Sequence, residues 1–365
     1  MAFPSTAACS GQNSSTDWGS LPHAGYHWDG CTEPFFEGWY SRLTLPGDPP
    51  ISFAFMYAID PKRGGIAQVL GPEEELHWRT FPNPRRFWAS STRLALGHSG
   101  IPGPGCRGLQ EPFTFFQRTA SGYQYTAHLN QGILPDPLGS EPIRWLYRIQ
   151  PRFAYGIPPQ ATMGIWSFLP IFEPGWQILM SHGLATGWVE WRGRRYEFQQ
   201  APAYAEKNWG QNFPRRWFWI QCNAFPQHPG LSLTSAGAER QVLTRPEEVA
   251  LISLHGWGSQ PFLEWRPGSA RLTWQVYPWG SWRIRGESAL WCIRLEGHTG
   301  RPGQTVFTPG PEGMQRNCRD TLSGHLHLQL WQRNGQVWTP VLTATSSQAG
   351  LEVGGEVPRP WQGQC

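Results

Sequence analysis

The chain has 365 residues, a net charge of +4 and 39% hydrophobic residues, which excludes a disordered polyelectrolyte. Its cations are scattered and no block of five or six like charges occurs, so no nucleic-acid partner is expected. The 42 glycines and 35 prolines follow no period and interrupt the chain too often for long helices, and no apolar run approaches the roughly 20 residues of a membrane-spanning helix.

Residues 1–20 are rich in Ser, Ala and Gly, with neither a basic start nor an apolar stretch. They read as a flexible tail, not a secretion signal or a full transit peptide. Residues 36–58, FEGWYSRLTLPGDPPISFAFMYA, open a strand with Trp and an aromatic, turn at Pro/Gly and continue as a second strand. The stretch from Gly103 to Gly108 has G-x-G-x-x-G spacing, but Pro102 and Pro104 stiffen it and no helix follows, so a plain loop is predicted. Ile143, Trp145, Tyr147 and Ile149 alternate with Arg144, Leu146 and Arg148, which sends the two sets to opposite faces of a strand. Residues 188–191 and 195–198 flank a turn at Arg192-Gly193-Arg194, a hairpin signal.

Further on, residues 214–238 echo residues 36–58, with Trp217 matching Trp39 and Phe218 matching Tyr40. Leu272, Trp274 and Val276, and then Leu326, Leu328 and Leu330, alternate in the same way as the earlier run. The fold is therefore all-β, a barrel or a sandwich, and the echo suggests two similar β domains at residues 21–208 and 209–365. His325 and His327 share a strand face, but only Asp320 stands near as a third ligand. They are read as structural, with no metal site expected. The seven cysteines are widely spaced, odd in number and lack C-x-x-C, which points to free thiols in a reducing compartment.

The junction of the two domains falls near APAYAEKNWGQNFPRRWFWIQCNAF, residues 201–225, which holds Lys207, one of two lysines in the chain. Acidic residues are scarce, and Asp29, Glu37, Glu173 and Glu206 each stand beside aromatics. One reading is a carboxylate bound to an arginine or to turn amides. The other is a carboxyl group in an apolar pocket, where desolvation raises its pKa and lets it donate a proton near neutrality. The 22 tryptophans are β core, or stacking platforms for sugars, or the wall of a pocket for a long apolar ligand. Such rings also stabilise a cation by ~0.5–2 kcal/mol per face.

Six blocks carry a family resemblance: HAGYHWDG (23–30), FFEGWYSRLTLP (35–46), SFAFMYAIDP (52–61), FEPGWQILMSHGLATGWVEW (172–191), YAEKNWGQNFPRRWFWIQCN (204–223) and CRDTLSGHLHLQLWQR (318–333). Together they resemble the tocopherol cyclases, which form the chromanol of vitamin E in plants and cyanobacteria. The resemblance runs in order from about Tyr26 to about Trp361. It departs at both ends, where plant relatives are longer. That sets the expectation of a cyanobacterial protein, cytoplasmic or peripheral to the thylakoid membrane.

The resemblance implies two tandem lipocalin-like antiparallel β-barrels with few short helices. It also implies a small-molecule substrate, a prenylated methylhydroquinone, and a redox-neutral ring closure without a cofactor. A phytyl tail further implies peripheral membrane contact; the oligomeric state is not legible. The implied chemistry is alkene protonation followed by attack of the phenol oxygen. Glu206 is the candidate acid, because Tyr204-Ala205-Glu206 is similar to the acid-bearing stretch of carotenoid hydratases. Tyr204 and Asn208 orient it or the head group. Asp29 and Glu37 are second-choice acids, or bases for the phenol. Trp209, Trp217 and Trp219 are candidates for the aromatic wall, and Trp39, Tyr40 and Lys207 complete the substrate-binding set. Lys207 alternates to the other side of the strand, where it pairs structurally with an acid. The rival readings are a carrier of prenyl quinones without chemistry and a carbohydrate-active protein.

Overall fold

The structure, a computed structural model, describes residues 16–99, 108–136, 141–169, 172–242, 245–310 and 313–365. Most of the N-terminal tail, the Gly103–Gly108 loop up to Arg107, Cys9 and Cys106 lie outside the described residues. Among those described, strands dominate and the one α-helix is Pro112–Arg118, two turns long.

Two large antiparallel sheets carry the chain, the all-β tandem architecture expected from the sequence. In the first, Phe36–Leu45 lies between Ile51–Asp60 and Arg194–Gly210, and Arg194–Gly210 also pairs with Gly175–Trp191. In the second, Arg216–Cys222 lies between Ser232–Val242 and Val337–Gly355, and Val337–Gly355 also pairs with Gly313–Asn334. The short strand Phe172–Glu173 joins the second sheet through Ser232–Val242. The backbone ladder of each sheet is an open path, and side chains draw the edges together. Phe81 on one edge strand of the first sheet stacks on His98 near the other edge, with ring centroids 4.9 Å apart. In the second sheet, Trp361 on an edge strand donates to Glu248 across the curl at 2.8 Å.

The period-two patterns take the predicted form. Ile143, Trp145, Tyr147 and Ile149 are buried in the first core; Leu272, Trp274, Val276, Leu326, Leu328 and Leu330 are buried in the second. The hairpin at Arg192-Gly193 closes in two residues with φ of 48° and 76°. Both are left-handed, as the twist of a tight β-hairpin requires. The echoed hairpins hold equivalent places, but their side chains are out of phase by one residue. Trp39 and Phe218 face the interior of their own sheets, whereas Tyr40 and Trp217 face the opposite sheet. The match of Trp39 to Trp217 is thus corrected: with a side-chain period of two, a one-residue offset reverses the face.

Glycine and tryptophan abundance share a cause. Trp145 lies opposite Gly132, Trp209 opposite Gly175, Trp217 opposite Gly354 and Trp274 opposite Gly363 on neighbouring strands. A Cβ on any of these glycines would fall 2.0–2.2 Å from an indole atom. The ring lies flat over the bare backbone, and the pair packs as one cross-strand unit.

The two sheets meet through their outer faces. Arg42 is buried there and donates to Gln221 Oε1 (2.8 Å) and to the carbonyls of Leu322 (2.8 Å) and Gln348 (2.7 Å). Gly132→Ala, which drives a methyl into Trp145, is expected to cost about 1–3 kcal/mol by overpacking. A lower urea midpoint at unchanged slope is the result to look for.

Candidate active site

Alternation along Arg194–Gly210 sorts the residues at the junction. Ala201, Ala203, Ala205 and Lys207 point into the first sheet, while Tyr204, Glu206 and Asn208 point toward the second. Glu206 and Asn208 of the outward set border a cavity of about 540 Å³ between the sheets, lined also by Trp176, Trp217, Trp219 and Glu352. Met163, Gly164 and Ile165 wall one side. Mostly apolar concavities of this size with a few polar groups are typical small-molecule sites.

Glu206 is buried, and its Oε2 accepts three hydrogen bonds: from Tyr204 Oη at 2.6 Å, Trp176 Nε1 at 3.0 Å and Trp219 Nε1 at 3.1 Å. None of the three reaches Oε1, so a proton on this carboxyl belongs on Oε1. Burial pushes its pKa up, the hydrogen bonds from Tyr204, Trp176 and Trp219 pull it down, and nearby Glu352 adds an upward push; the balance lies at about 7. The group is therefore available as an acid near neutrality. Burial holds the Tyr204 hydroxyl well above its ordinary pKa, so it remains a donor. Tyr40 meets Trp219 edge to face at 5.2 Å, with its hydroxyl buried and unpartnered.

The remaining candidates gather elsewhere. Lys207 and Glu37, both fully buried, form an ion pair inside the first sheet. Lys207 Nζ also donates to the Gly25 carbonyl at 2.7 Å and to His27 Nδ1 at 3.2 Å. Trp39 and Trp209 flank the ammonium at 5.5 and 5.3 Å, and Trp209 stacks on His27 at 4.0 Å. Asp29 is an exposed turn residue that accepts from the amides of Cys31 and Thr32 and from the Thr32 hydroxyl, which hold its carboxyl well below the usual range. Glu173 is partly buried and accepts from the Gln211 amide at 2.8 Å; burial raises its pKa. Asp29, Glu173 and Trp209 line a second cavity of about 470 Å³ at the mouth of the first sheet. Asp29, Glu37, Trp39, Lys207 and Trp209 therefore do not line the Glu206 cavity, whereas Glu206, Asn208, Trp217 and Trp219 do.

Sequence reasoning missed Trp176, which lies in a quoted block, and Glu352. The signal for Glu352 was parity: Leu351 and Val353 face the second core, so the residue between them faces the other sheet. His325 and His327 stand on a strand whose leucines fill the core, and no metal-holding group of three ligands occurs among the described residues. The five described cysteines are free.

Fold and site together define an all-β protein with a desolvated carboxylic acid facing an indole-walled chamber. A family model described as Tocopherol cyclase-like matches residues 33–355. The chain belongs to that family. It is 37% identical to the probable chloroplastic tocopherol cyclase of Oryza sativa subsp. japonica, over 93% of this chain and 79% of that protein. It is also 37% identical to the chloroplastic tocopherol cyclase of Zea mays, over 93% of this chain and 78% of that one. Kievitone hydratase from Nectria haematococca is similar in structure with a TM-score of 0.47 and 10% identity, covering 93% of this chain and 92% of that one. A putative AttH protein from Nitrosomonas europaea gives a TM-score of 0.47 and 12% identity, covering 92% and 99%.

Trp219→Phe removes one donor from Glu206 Oε2 and so one downward pull. The titration midpoint of the Glu206 carboxyl, followed by carbon NMR, is expected to lie above that of the unaltered protein.

Proposed function

We propose that this protein closes a prenylated methylhydroquinol to a tocopherol chromanol, with Glu206 as the proton donor and no cofactor. The observation that carries this reading is the Glu206 carboxyl itself. Three donors occupy Oε2, Oε1 is left for the proton, and the group borders a chamber large enough for an isoprenoid segment.

The chemistry follows from these parts. Protonation of the less substituted alkene carbon by Glu206 Oε1 leaves tertiary cation character on the other carbon. The phenol oxygen attacks that carbon, a C–O bond forms and the phenolic proton leaves. As Glu206 gives up its proton, Tyr204, Trp176 and Trp219 are already aimed at the developing carboxylate and need no reorganisation. The indoles of Trp217 and Trp219 supply π faces for the cation. Asn208 offers the head group both a donor and an acceptor. Holding the hydroxyl over the alkene contributes up to about 7–11 kcal/mol in well-aligned cases. A dry wall keeps water from capturing the cation as a tertiary alcohol. A carrier would use the same chamber but return the substrate unchanged.

The mouth of the chamber suggests how the substrate arrives. Ile165 and Phe168 are 78% and 60% exposed on the segment that walls both cavities. No helix among the described residues is long and apolar enough to cross a membrane. We infer peripheral contact of this segment with the bilayer that holds the substrate. The relatives are plant proteins named chloroplastic, and they do not speak for a cyanobacterial source.

Glu206→Gln is expected to lower turnover of a phytyl hydroquinol by about 10²–10⁴-fold; near wild-type turnover in a folded variant removes Glu206 from the role. In heavy water the product should carry deuterium at the former alkene carbon, read by mass spectrometry. The wild-type rate should fall as pH rises through about 7, because the ionised carboxylate has no proton to give. Replacing both Phe168 and Leu169, exposed residues that do not line the Glu206 cavity, with Ser should weaken co-sedimentation with vesicles while leaving turnover of a detergent-dispersed substrate intact.

A further inference from the structure

We propose that Glu352 and Asp320 form a carboxyl dyad sharing one proton, and that Glu352 is the base that takes the phenolic proton. The inference rests on the cyclase reading and supplies the half of the reaction that Glu206 does not perform.

The strands place the pair. Asp320 and Glu352 are direct cross-strand partners on Gly313–Asn334 and Val337–Gly355. Side chains so placed start from Cβ atoms about 4.5–5.5 Å apart. Both leave the second sheet on the face that meets the first. Glu352 lines the same cavity as Glu206, and its Oε1 accepts the indole N–H of Trp217. Asp320 stands behind it, only 1% exposed, and neither of its oxygens accepts a hydrogen bond of ordinary geometry. A buried carboxylate with no well-placed donor is costly, so Asp320 holds or shares a proton.

The surrounding charges fix how many protons the pair keeps. Arg42 enters from Phe36–Leu45 as a buried guanidinium whose hydrogen bonds go to neutral groups. Burial, with Glu352 and Glu74, drives the Asp320 pKa up, against the pull of the Arg42 charge and of the Thr321 backbone amide. Burial likewise raises Glu352, opposed by its bonds to Trp217 and Cys318. Tyr40, also on Phe36–Leu45, and Glu206 complete the groups that face the pair. One shared proton leaves the dyad a single negative charge, which the Arg42 guanidinium attracts. No proton would place two carboxylates side by side next to Glu74.

The step then balances without an oxidant or a co-reactant. Glu206 Oε1–H passes its proton to the alkene carbon, the phenol oxygen forms the C–O bond, and the phenolic proton moves to Glu352. The dyad ends with two protons and Glu206 with none. Return of one proton across the cavity restores both.

Glu352→Gln can still accept the Trp217 N–H, so its fold should persist. Chromanol formation by this variant should drop about 100-fold or more, while unreacted substrate recovered from heavy water carries deuterium, because Glu206 still protonates and the cation reverts. Asp320→Ala removes the carboxyl whose shared proton stabilises ionised Glu352, so the rising limb of the pH–rate profile should move to higher pH by about one unit or more. Wild-type turnover and pH profile in folded Glu352→Gln would overturn the dyad alone. Loss of exchange along with turnover would place Glu352 on the protonation step and overturn its role as the base. Failure of the wild-type protein to convert the hydroquinol at all would sink the cyclase reading instead.

Discussion

The structure depends on the removal of water from the outer face of a β-sheet. Antiparallel sheets commonly leave one face solvated, so polar side chains can alternate outward at little cost. Here the outer faces of Phe36–Leu45 and Arg194–Gly210 meet those of Arg216–Cys222 and Val337–Gly355. Every polar group on them must find a partner or lose its charge. Arg42 answers with carbonyls from three separate segments of the second sheet and its connections. Glu206 answers with three donors on a single oxygen. Asp320 has no such answer, and its burial drives it toward the protonated form. Acid–base chemistry at this junction is thus a consequence of how the sheets pack.

The other face of Arg194–Gly210 solves a different problem with the same alternation. Lys207 Nζ donates to His27 Nδ1, which leaves the hydrogen of His27 on Nε2, 3.1 Å from His23 Nδ1. His23 then donates from Nε2 to Ser167 Oγ at 2.8 Å, and Ser167 donates to the Gly164 carbonyl at 2.6 Å. Each link fixes the tautomer of the next. The chain requires neutral imidazoles, and burial lowers both their pKa values, that of His23 to about 4. Its far end is the segment that walls the Glu206 cavity. Residues on the inner face of the strand therefore hold in place a wall used by residues on the outer face.

Much of this was legible in the residues. Alternating runs such as Ile143 to Ile149 gave all-β, and the Trp/Pro/Gly echo located two equivalent hairpins. The YAEKNWG stretch marked Glu206 and, by parity, separated it from Lys207. What stayed hidden depended on which faces become buried against each other. Trp39 and Trp217 look alike in sequence but point to opposite sides, because a pleat offset of one residue leaves composition unchanged. Trp209 stands between the two groups and reads as part of the wall, yet from Ala201 onward the odd-numbered positions of its strand turn inward. Glu352 lies in LEVGGEV, where an acid between apolar residues reads as an ordinary solvent-facing position. Only contact with a second sheet makes it an interior one.

That contact also explains why the chamber lies between the sheets and not within either curl. The interior of the first is filled by Phe53, Phe55, Tyr57, Tyr123, Trp145 and Tyr147, and that of the second by Trp265, Trp274, Trp282 and the leucines around them. The cavity that Glu206 borders lies outside both of these cores, between the sheets. At the junction the two curved surfaces cannot match everywhere, and indoles bridge the gap without closing it. Glu206 comes from the first sheet and Glu352 from the second. Opposed carboxyls in distinct surroundings are what a reaction needs when one proton must be given and another taken. A single curled sheet would present either group to water, where both would ionise together. Two sheets back to back supply the dryness and the asymmetry in the same packing step.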